Sequence, residues 1–436
     1  MQNRKKVNLV WFRNDLRVRD NQVLTNAMKS NMPVIALYAF DPRHFEETEY
    51  GFKKTEKFRA KFLIESVKCL QQKLKDLNIG LYTSTDTPEQ ALHQLQQDFE
   101  IEEIFFQTEW TSEENKVQKN IENANPSIKL NSTYNQFLFH PEDIPFNDFK
   151  QIPEVFTQFR KACEKQSQVR AELPVPHAQD SSYFIDFKAK MPSLNDLGLD
   201  NFKVDSRSAF PFEGGEKSAW GRLSNYFWET KKLQYYKKTR NGLLGTDYSS
   251  KFSAWLSNGS ISAVSIYHQV KKFEKEIKKN QDTYWLIFEL IWRDYFKYIS
   301  LKHGNSIFKL GGILNKDYKW NNHEKAFQQW INGQTPENFV NANMLELKQT
   351  GFMSNRGRQN VNSYWAKEWQ QDWRKGAAYF EAMLIDYDVH SNWGNWMYNS
   401  GVGNDPRDRK FNIKRQAERY DSNGTYQRTW LQENLF

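Results

Sequence analysis

Short apolar runs punctuate the first part of the chain: "VNLVWF" (7–12), "MPVIALYAF" (32–40), "IGLYTS" (79–84) and "EEIFFQT" (102–108). Between them, "FRAKFLIESVKCLQQKLKDL" and "TPEQALHQLQQDF" repeat their apolar positions every three to four residues. Strands alternating with helices predict βαβ units and a parallel sheet over residues 1–130. No G-x-G-x-x-G follows any of them, so the Rossmann-like expectation does not extend to a nicotinamide cofactor.

The pattern then changes twice. Residues 131–205 hold "HPEDIPF", "AELPVPHAQDSS" and "KMPSLNDLGLD", rich in Pro, Asp and Ser, and predict a long connector with little regular structure. From 206 to 436 helical periodicity dominates, in "EKSAWGRLSNYFWETKKLQYYKK", "SAVSIYHQVKKFEKEIKK", "DTYWLIFELIWRDYFKYIS" and "NVNSYWAKEWQQDWRKGAAYFEAMLI". The fold class expected is therefore an α/β N-terminal domain, a connector and a large all-α domain.

At 436 residues the chain can bury more than one core, and no apolar run approaches the ~20 residues of a membrane span. The apolar stretch after the basic start breaks at Arg13, too early for a signal peptide, which leaves the cytoplasm as the expected location. Cys69 and Cys163 form no CxxC or Cys/His cluster, so neither a disulfide framework nor a metal site is expected. Charge changes the picture more. Residues 206–436 carry 34 Lys and Arg against 23 Asp and Glu, a net +11, while residues 1–205 net −3. Thirteen of the fifteen tryptophans lie in the basic part. Basic residues interleaved with aromatics suit a polyanion whose bases can stack, such as single-stranded nucleic acid, although a basic aromatic core under a solvated surface has the same composition.

Three clusters carry candidate chemistry. In "FELIWRDYF", Glu289, Trp292 and Arg293 fall at i, i+3 and i+4, and in "GFMSNRGRQN" so do Asn355, Arg358 and Gln359. Charged groups on an apolar helix need partners or a cavity. In "YWAKEWQQDW", Trp365, Trp369 and Trp373 predict a stripe of indoles on one helix. Singly, each cluster also reads as an internal ion pair, a cap or a core seam.

Taken in order, "VNLVWFRNDLRVRDN", "YKKTRNGLLGTDYSSKFSAWLSNGSIS", "FELIWRDYF", "TGFMSNRGRQN" and "LIDYDVHSNWGNWMYNSGVGNDPR" resemble the photolyase/cryptochrome family, and the wording of "TGFMSNRGRQN" and "GNWMYNSGVGNDPR" is most similar to its DASH-type cryptochromes. That resemblance implies FAD, folded into a U and held by the helical domain as FADH− when active. Tyr236 and Arg240 precede the loop of Ser249, Ser250, Lys251, Phe252 and Ser253, whose hydroxyls, amides and ammonium are expected on the diphosphate. Asp386 and Asp388 match the isoalloxazine and ribose side, Arg358 the partner of Asp386, and Asn392 the residue beside flavin N5; Arg293 and Asn355 also match flavin-side positions. Trp396, Trp373 and Trp320 match the family's electron relay, counted outward from the flavin.

The activity implied is blue-light repair of cyclobutane pyrimidine dimers, mainly in single-stranded or looped DNA, with Glu289, Trp292, Asn355, Gln359 and Tyr398 around the dimer and Arg293, Arg356 and Arg407 on phosphates. RNA is a further candidate polyanion, and the family suggests a monomer. A 5,10-methenyltetrahydrofolate antenna is implied on the α/β domain, with Glu109 contacting the pterin. The competing class is a blue-light receptor that signals without turnover. The chain departs from the family at Asn341, in place of an acid and expected to cap a helix, and at Leu345, Glu56 and Lys414.

Overall fold

The computed structural model describes residues 4–30, 32–188 and 190–432. Five strands, β1 (Lys5–Trp11), β2 (Val34–Ala39), β3 (Leu81–Ser84), β4 (Phe99–Gln107) and β5 (Lys129–Thr133), form one fully parallel sheet in the order β3-β2-β1-β4-β5. The helices between them are α1 (Gln22–Met28), α2 (Lys57–Lys75), α3 (Pro88–Asp98) and α4 (Ser112–Ala124). Both sheet faces are covered by separate apolar clusters, which is why β1 is buried from Val7 to Trp11 without alternation. Strand order reverses between β1 and β4, and a crevice at the carboxyl ends of strands is where such sheets bind ligands.

The connector holds more structure than its composition predicts. Its helix α5 (Phe156–Gln166) buries Phe156, Phe159 and Cys163, one stripe at i, i+3 and i+7 that packs on the helical core. The rest of the chain is helical: α6 (Glu216–Ser224), α7 (Tyr236–Thr239), α8 (Ser253–Ser257), α9 (Ala263–Glu276), α10 (Gln281–His303), α11 (Glu324–Ile331), α12 (Asn338–Thr350), α13 (Asn355–Ser363), α14 (Trp373–Met383), α15 (Val389–Ser400), α16 (Ile413–Tyr420) and α17 (Thr425–Leu431). A capping box of Asn280 and Thr283 starts α10, which is apolar on most sides and runs through the centre.

Two helical expectations are corrected. The indole stripe does not exist as one helix: α13 widens into a π-turn at 364–368 and Gln370 takes a positive φ of 52°, so Trp373 starts a new helix. Asn341 is not a cap. It lies inside α12, and its amide closes on Thr335, accepting from the backbone N (2.8 Å) and Oγ1 (2.7 Å) and donating to the carbonyl (2.7 Å).

The sheet and the helices are fastened by buried polar groups. Arg17 donates to the carbonyls of Asp20, Asn135 and Gly259, and Glu216 accepts from the backbone of Val18 and Arg19. Asp294 on α10 accepts from the amides of Leu138 and Phe139, and burial pushes its carboxyl up to about 6.

Candidate functional site

The helix α10 distributes charge along its length, and beside it α13, the end of α14 and α15 line a small cleft of about 70 Å³. Asn355, Arg358 and Gln359 from α13 line that cleft together with Asp386, Asp388, Asn392 and Trp396. Five of them were expected on the flavin, Gln359 on the dimer and Trp396 in the relay, and the fold brings all seven to one cleft.

The local reasons are visible in the sequence. Ser354 caps α13 by accepting from the Gly357 amide at 3.0 Å, which aims the next turn into the cleft. Gly357 is needed because a Cβ there would lie 2.0 Å from Asn343 Oδ1 of α12. Asp388 caps α15, accepting from the Ser391 amide at 2.8 Å, so one of its oxygens is fixed by the helix it begins.

The two carboxylates are held differently. Arg358 donates to both oxygens of Asp386, each at 2.9 Å. Asp388 is bound by Lys297 Nζ at 2.9 Å. Burial alone opposes charge on Asp388, yet Lys297, with His390 and Arg293 nearby, holds its carboxyl far below the usual range. It is therefore ionised at every ordinary pH. Asn392 donates to the Ala377 carbonyl at 3.0 Å, which fixes the amide and leaves its oxygen as an acceptor. Amides and fixed carboxylates beside the rings of Trp396 and Phe380 fit a flat, polar heteroaromatic ring system such as the expected flavin.

The expected phosphate loop adjoins this cleft through Phe352, whose ring lies under both Lys251 (4.6 Å) and Arg358 (5.6 Å). The lysine expected on the diphosphate points into the protein. Lys251 has φ 65°, and its Nζ is buried with no hydrogen-bond partner, 3.3 Å from the centroid of the Tyr248 ring. Burial drives its pKa well down, against the pull of Glu346. Ser250 and Phe252 are buried and Ser253 is exposed at the start of α8. Tyr236 is buried on α7.

The residue that shapes the loop was missed by sequence. Arg222 on α6 donates to the carbonyls of Thr246 (3.0 Å), Ser249 (3.0 Å) and Ser250 (3.1 Å) and to the side chains of Asp247 (3.0 Å) and Asn225 (3.3 Å). Every N–H direction of the guanidinium is used, and three bonds go to the loop backbone. Its signal was weak: one arginine in a helix otherwise reading as core. Lys297 was also missed, although it extends Glu289 and Arg293 by another i+4 step on α10.

Around the mouth, Glu289 and Arg240, expected on different partners, form one ion pair at 3.0 Å. Burial pushes the Glu289 carboxyl up while Arg240 opposes it. Arg356 donates to Asn241 Oδ1 at 3.3 Å and lies over the Tyr420 ring, which puts a second cation beside that pair. Trp292 is stacked on Phe156 of the connector helix at 3.6 Å and meets Tyr398 edge-on at 5.9 Å, and Arg409 donates to the Tyr398 hydroxyl at 2.6 Å. Only one indole face is left for a base. Arg407 is exposed. Arg293 is corrected as a phosphate contact: it is 13% exposed and donates inward to the carbonyls of Gln136 (2.5 Å) and Leu256 (3.1 Å).

Of the expected relay, Trp396 packs against α14 at Gly376, where a Cβ would be 2.3 Å from the indole, and Trp373 lies one turn earlier on the same helix. Trp320 is placed beside that helix start by backbone bonds of Asn321 with Gln370 (2.7 Å) and Asp372 (2.8 Å). Glu109 follows β4 at the strand-order reversal, buried, and accepts from Gln107 (2.8 Å) and Asn14 (3.3 Å). Burial raises its pKa against the pull of Arg13. A roomier groove of about 560 Å³ lies by the end of α5 with α9 and α10; it gathers none of the predicted residues. Among the described residues no helix is long and apolar enough to cross a membrane.

Comparison with known proteins agrees with this geometry. Residues 8–177 match the family described as DNA photolyase, and residues 285–434 match the FAD binding domain of DNA photolyase. The chain is 47% identical over 431 residues to the cryptochrome DASH of Gloeobacter violaceus, covering 98% of this chain and 86% of that protein. Against the cryptochrome DASH of Danio rerio it is 45% identical over 427 residues, covering 97% and 82%. The crystal structure of the Synechocystis sp. PCC6803 cryptochrome superposes with a TM-score of 0.94 at 44% identity, over 99% of this chain and 89% of that one. A bacterial class III photolyase from Agrobacterium tumefaciens superposes with a TM-score of 0.82 at 25% identity, over 99% and 87%.

Proposed function

From the premise that the chain belongs to the photolyase/cryptochrome family and resembles its DASH cryptochromes throughout, we propose that it repairs cyclobutane pyrimidine dimers under blue light, mainly in single-stranded or looped DNA. The observation that carries this reading is the Glu289–Arg240 pair at the mouth of the cleft, 25% exposed at the glutamate and flanked by Arg356. A receptor that only signals has no use for a carboxyl of raised pKa facing outward there.

Reduced FAD supplies, when bound and excited, the electron that splits the dimer and takes it back afterwards. The chain does the rest. Asp388, kept ionised by Lys297, and Asp386, paired with Arg358, would hold the flavin together with the Asn392 amide. Ser249, Ser250 and Ser253, on a loop whose carbonyls Arg222 holds, would take the diphosphate with their hydroxyls and backbone N–H groups, with Tyr236 nearby. Glu289 hydrogen-bonds the dimer and delivers or shares a proton with it, burial having raised its pKa and so favoured the protonated form. Trp292, Tyr398, Asn355 and Gln359 wall the pocket. Extruding the dimer costs least where the DNA is already unpaired, and Arg356 and Arg407 meet its phosphates. Trp396, Trp373 and Trp320 resupply electrons.

Glu109, Asn14 and Arg13 occupy the crevice where strand order reverses, which supports an antenna there, a pterin such as methenyltetrahydrofolate.

The test is light-dependent loss of thymine dimers from a single-stranded oligonucleotide, with reduced protein, dark controls and a Glu289→Ala variant. Repair that falls at least tenfold in the variant is expected. A flavin-loaded, photoreducible protein that repairs neither strand form would overturn the enzyme reading in favour of a light sensor.

A further inference from the structure

Trp396 touches the cleft, and the indole that its ring meets is not on α14. Its centroid lies 6.1 Å from that of Trp330, on α11. Trp330 in turn lies 5.0 Å from Trp365, and Trp365 6.5 Å from Trp369. Trp396, Trp330 and Trp365 are fully buried, while Trp369 is half-buried at the surface. Four indoles thus run in file from cleft to solvent, none of them Trp373 or Trp320.

A single buried tryptophan is ordinary packing. The file is distinguished by how each ring nitrogen is treated. Trp330 Nε1 is buried with no acceptor, so an oxidised Trp330 has nowhere to lose its proton and must stay a cation. Trp365 Nε1 donates to the Asp372 carbonyl at 2.9 Å, which steadies positive charge without accepting a proton. Trp369 reaches water. A positive charge is costly in the dry interior and cheap at the surface, so the gradient runs outward. The charge is passed on at Trp330 and Trp365 and trapped at Trp369.

We propose that Trp330, Trp365 and Trp369 form a second electron-supply branch to the flavin, joining the first at Trp396. The inference rests on the reading that bound flavin is photoreduced through Trp396. One electron leaves Trp369 and one arrives at the flavin; the indoles between return to their starting state, and Trp369 loses its N–H proton to water. A soluble thiol then returns one electron and one proton, and two such thiols couple as a disulfide.

The test illuminates the flavin-loaded, oxidised protein with a nitroso spin trap and maps trapped indole radicals by peptide mass spectrometry. We expect light-dependent adducts on both Trp369 and Trp320, with the Trp369 adduct falling at least fivefold in Trp330→Phe and persisting in Trp320→Phe. Because Trp330 is a core residue, Trp369→Phe at the surface gives a second readout: flavin bleaching slows at least fivefold more in Trp320→Phe/Trp369→Phe than in Trp320→Phe alone. Adducts confined to Trp320, or a Trp369 adduct indifferent to Trp330→Phe, overturn the branch and leave the first relay standing. Flavin-loaded protein with no indole adduct anywhere overturns both.

Discussion

On α10, Glu289 lies 25% exposed with Arg240 at 3.0 Å, while Lys297, about two turns further along, lies 4% exposed with Asp388 at 2.9 Å. Both are close ion pairs between residues distant in sequence. In the interior each charge has given up water, so either partner alone is an uncompensated charge, and the pair acts as a fixed part of the flavin cleft. At the mouth a quarter of the Glu289 side chain stays exposed, so the pair is less completely desolvated than the one at Lys297, although burial still raises its carboxyl. Burial decides which of two similar contacts is scaffold and which is working chemistry.

That contrast can be broken at its strongest point first. Lys297→Met removes one buried charge and strands Asp388; we expect unfolding free energy to fall by about 3–5 kcal/mol in urea titrations, with loss of bound flavin. A Lys297→Met protein as stable as its parent would show that Asp388 is not buried against Lys297. Arg222→Lys keeps the charge but cannot make five directed bonds, and FAD affinity measured by fluorescence should drop by about 10–100-fold, about 1.4–2.8 kcal/mol. Unchanged affinity would mean the loop holds its shape without the guanidinium.

A third variant concerns a buried acid with no cation bonded to it. Glu346 accepts from the Tyr426 hydroxyl at 2.6 Å, and burial pushes its carboxyl up to about 7. The folded state therefore holds a proton that the unfolded state releases near pH 4.5, so stability falls as pH rises from 5 to 8. Glu346→Gln should flatten that fall by about 1–3 kcal/mol in denaturation curves compared at the two pH values; parallel curves would refute the shift. The smallest stability change is expected at the mouth. Glu289→Gln should alter unfolding free energy by less than about 1 kcal/mol, and the same preparation is expected to lose most of its dimer repair.

The cleft was legible in sequence in two ways: Asn355, Arg358 and Gln359 recur on one helix turn, whereas Asp386, Asp388 and Asn392 were placed by the resemblance of their motif to the family. The parallel sheet was legible for a similar reason, since continuous apolar runs between amphipathic stretches have few other folds. What sequence could not show was direction. Arg293 and Lys251 look like surface cations and turn inward, a choice made by the carbonyls of Gln136 and Leu256 and by the rings of Tyr248 and Phe352, which are distant along the chain. The break before Trp373 was hidden too, because nothing in "KEWQQDW" is a strong helix breaker, and the parallel bridge of Asn321 and Gln371 that accompanies it is tertiary. The helix α5 was masked by its Pro-rich surroundings, although "FTQFRKACEKQ" carries the period by itself.

The saturated guanidinium of Arg222 bears on how the cofactor comes and goes. A loop held from beneath, by a side chain whose bonds all run to the protein, keeps its shape after the cofactor leaves. Rebinding then requires no ordering of that segment, and its entropy is already paid in folding. The apoprotein should behave as a rigid receptacle that is refilled in a single encounter, with exchange limited by the widening of the cleft rather than by any rebuilding of the loop.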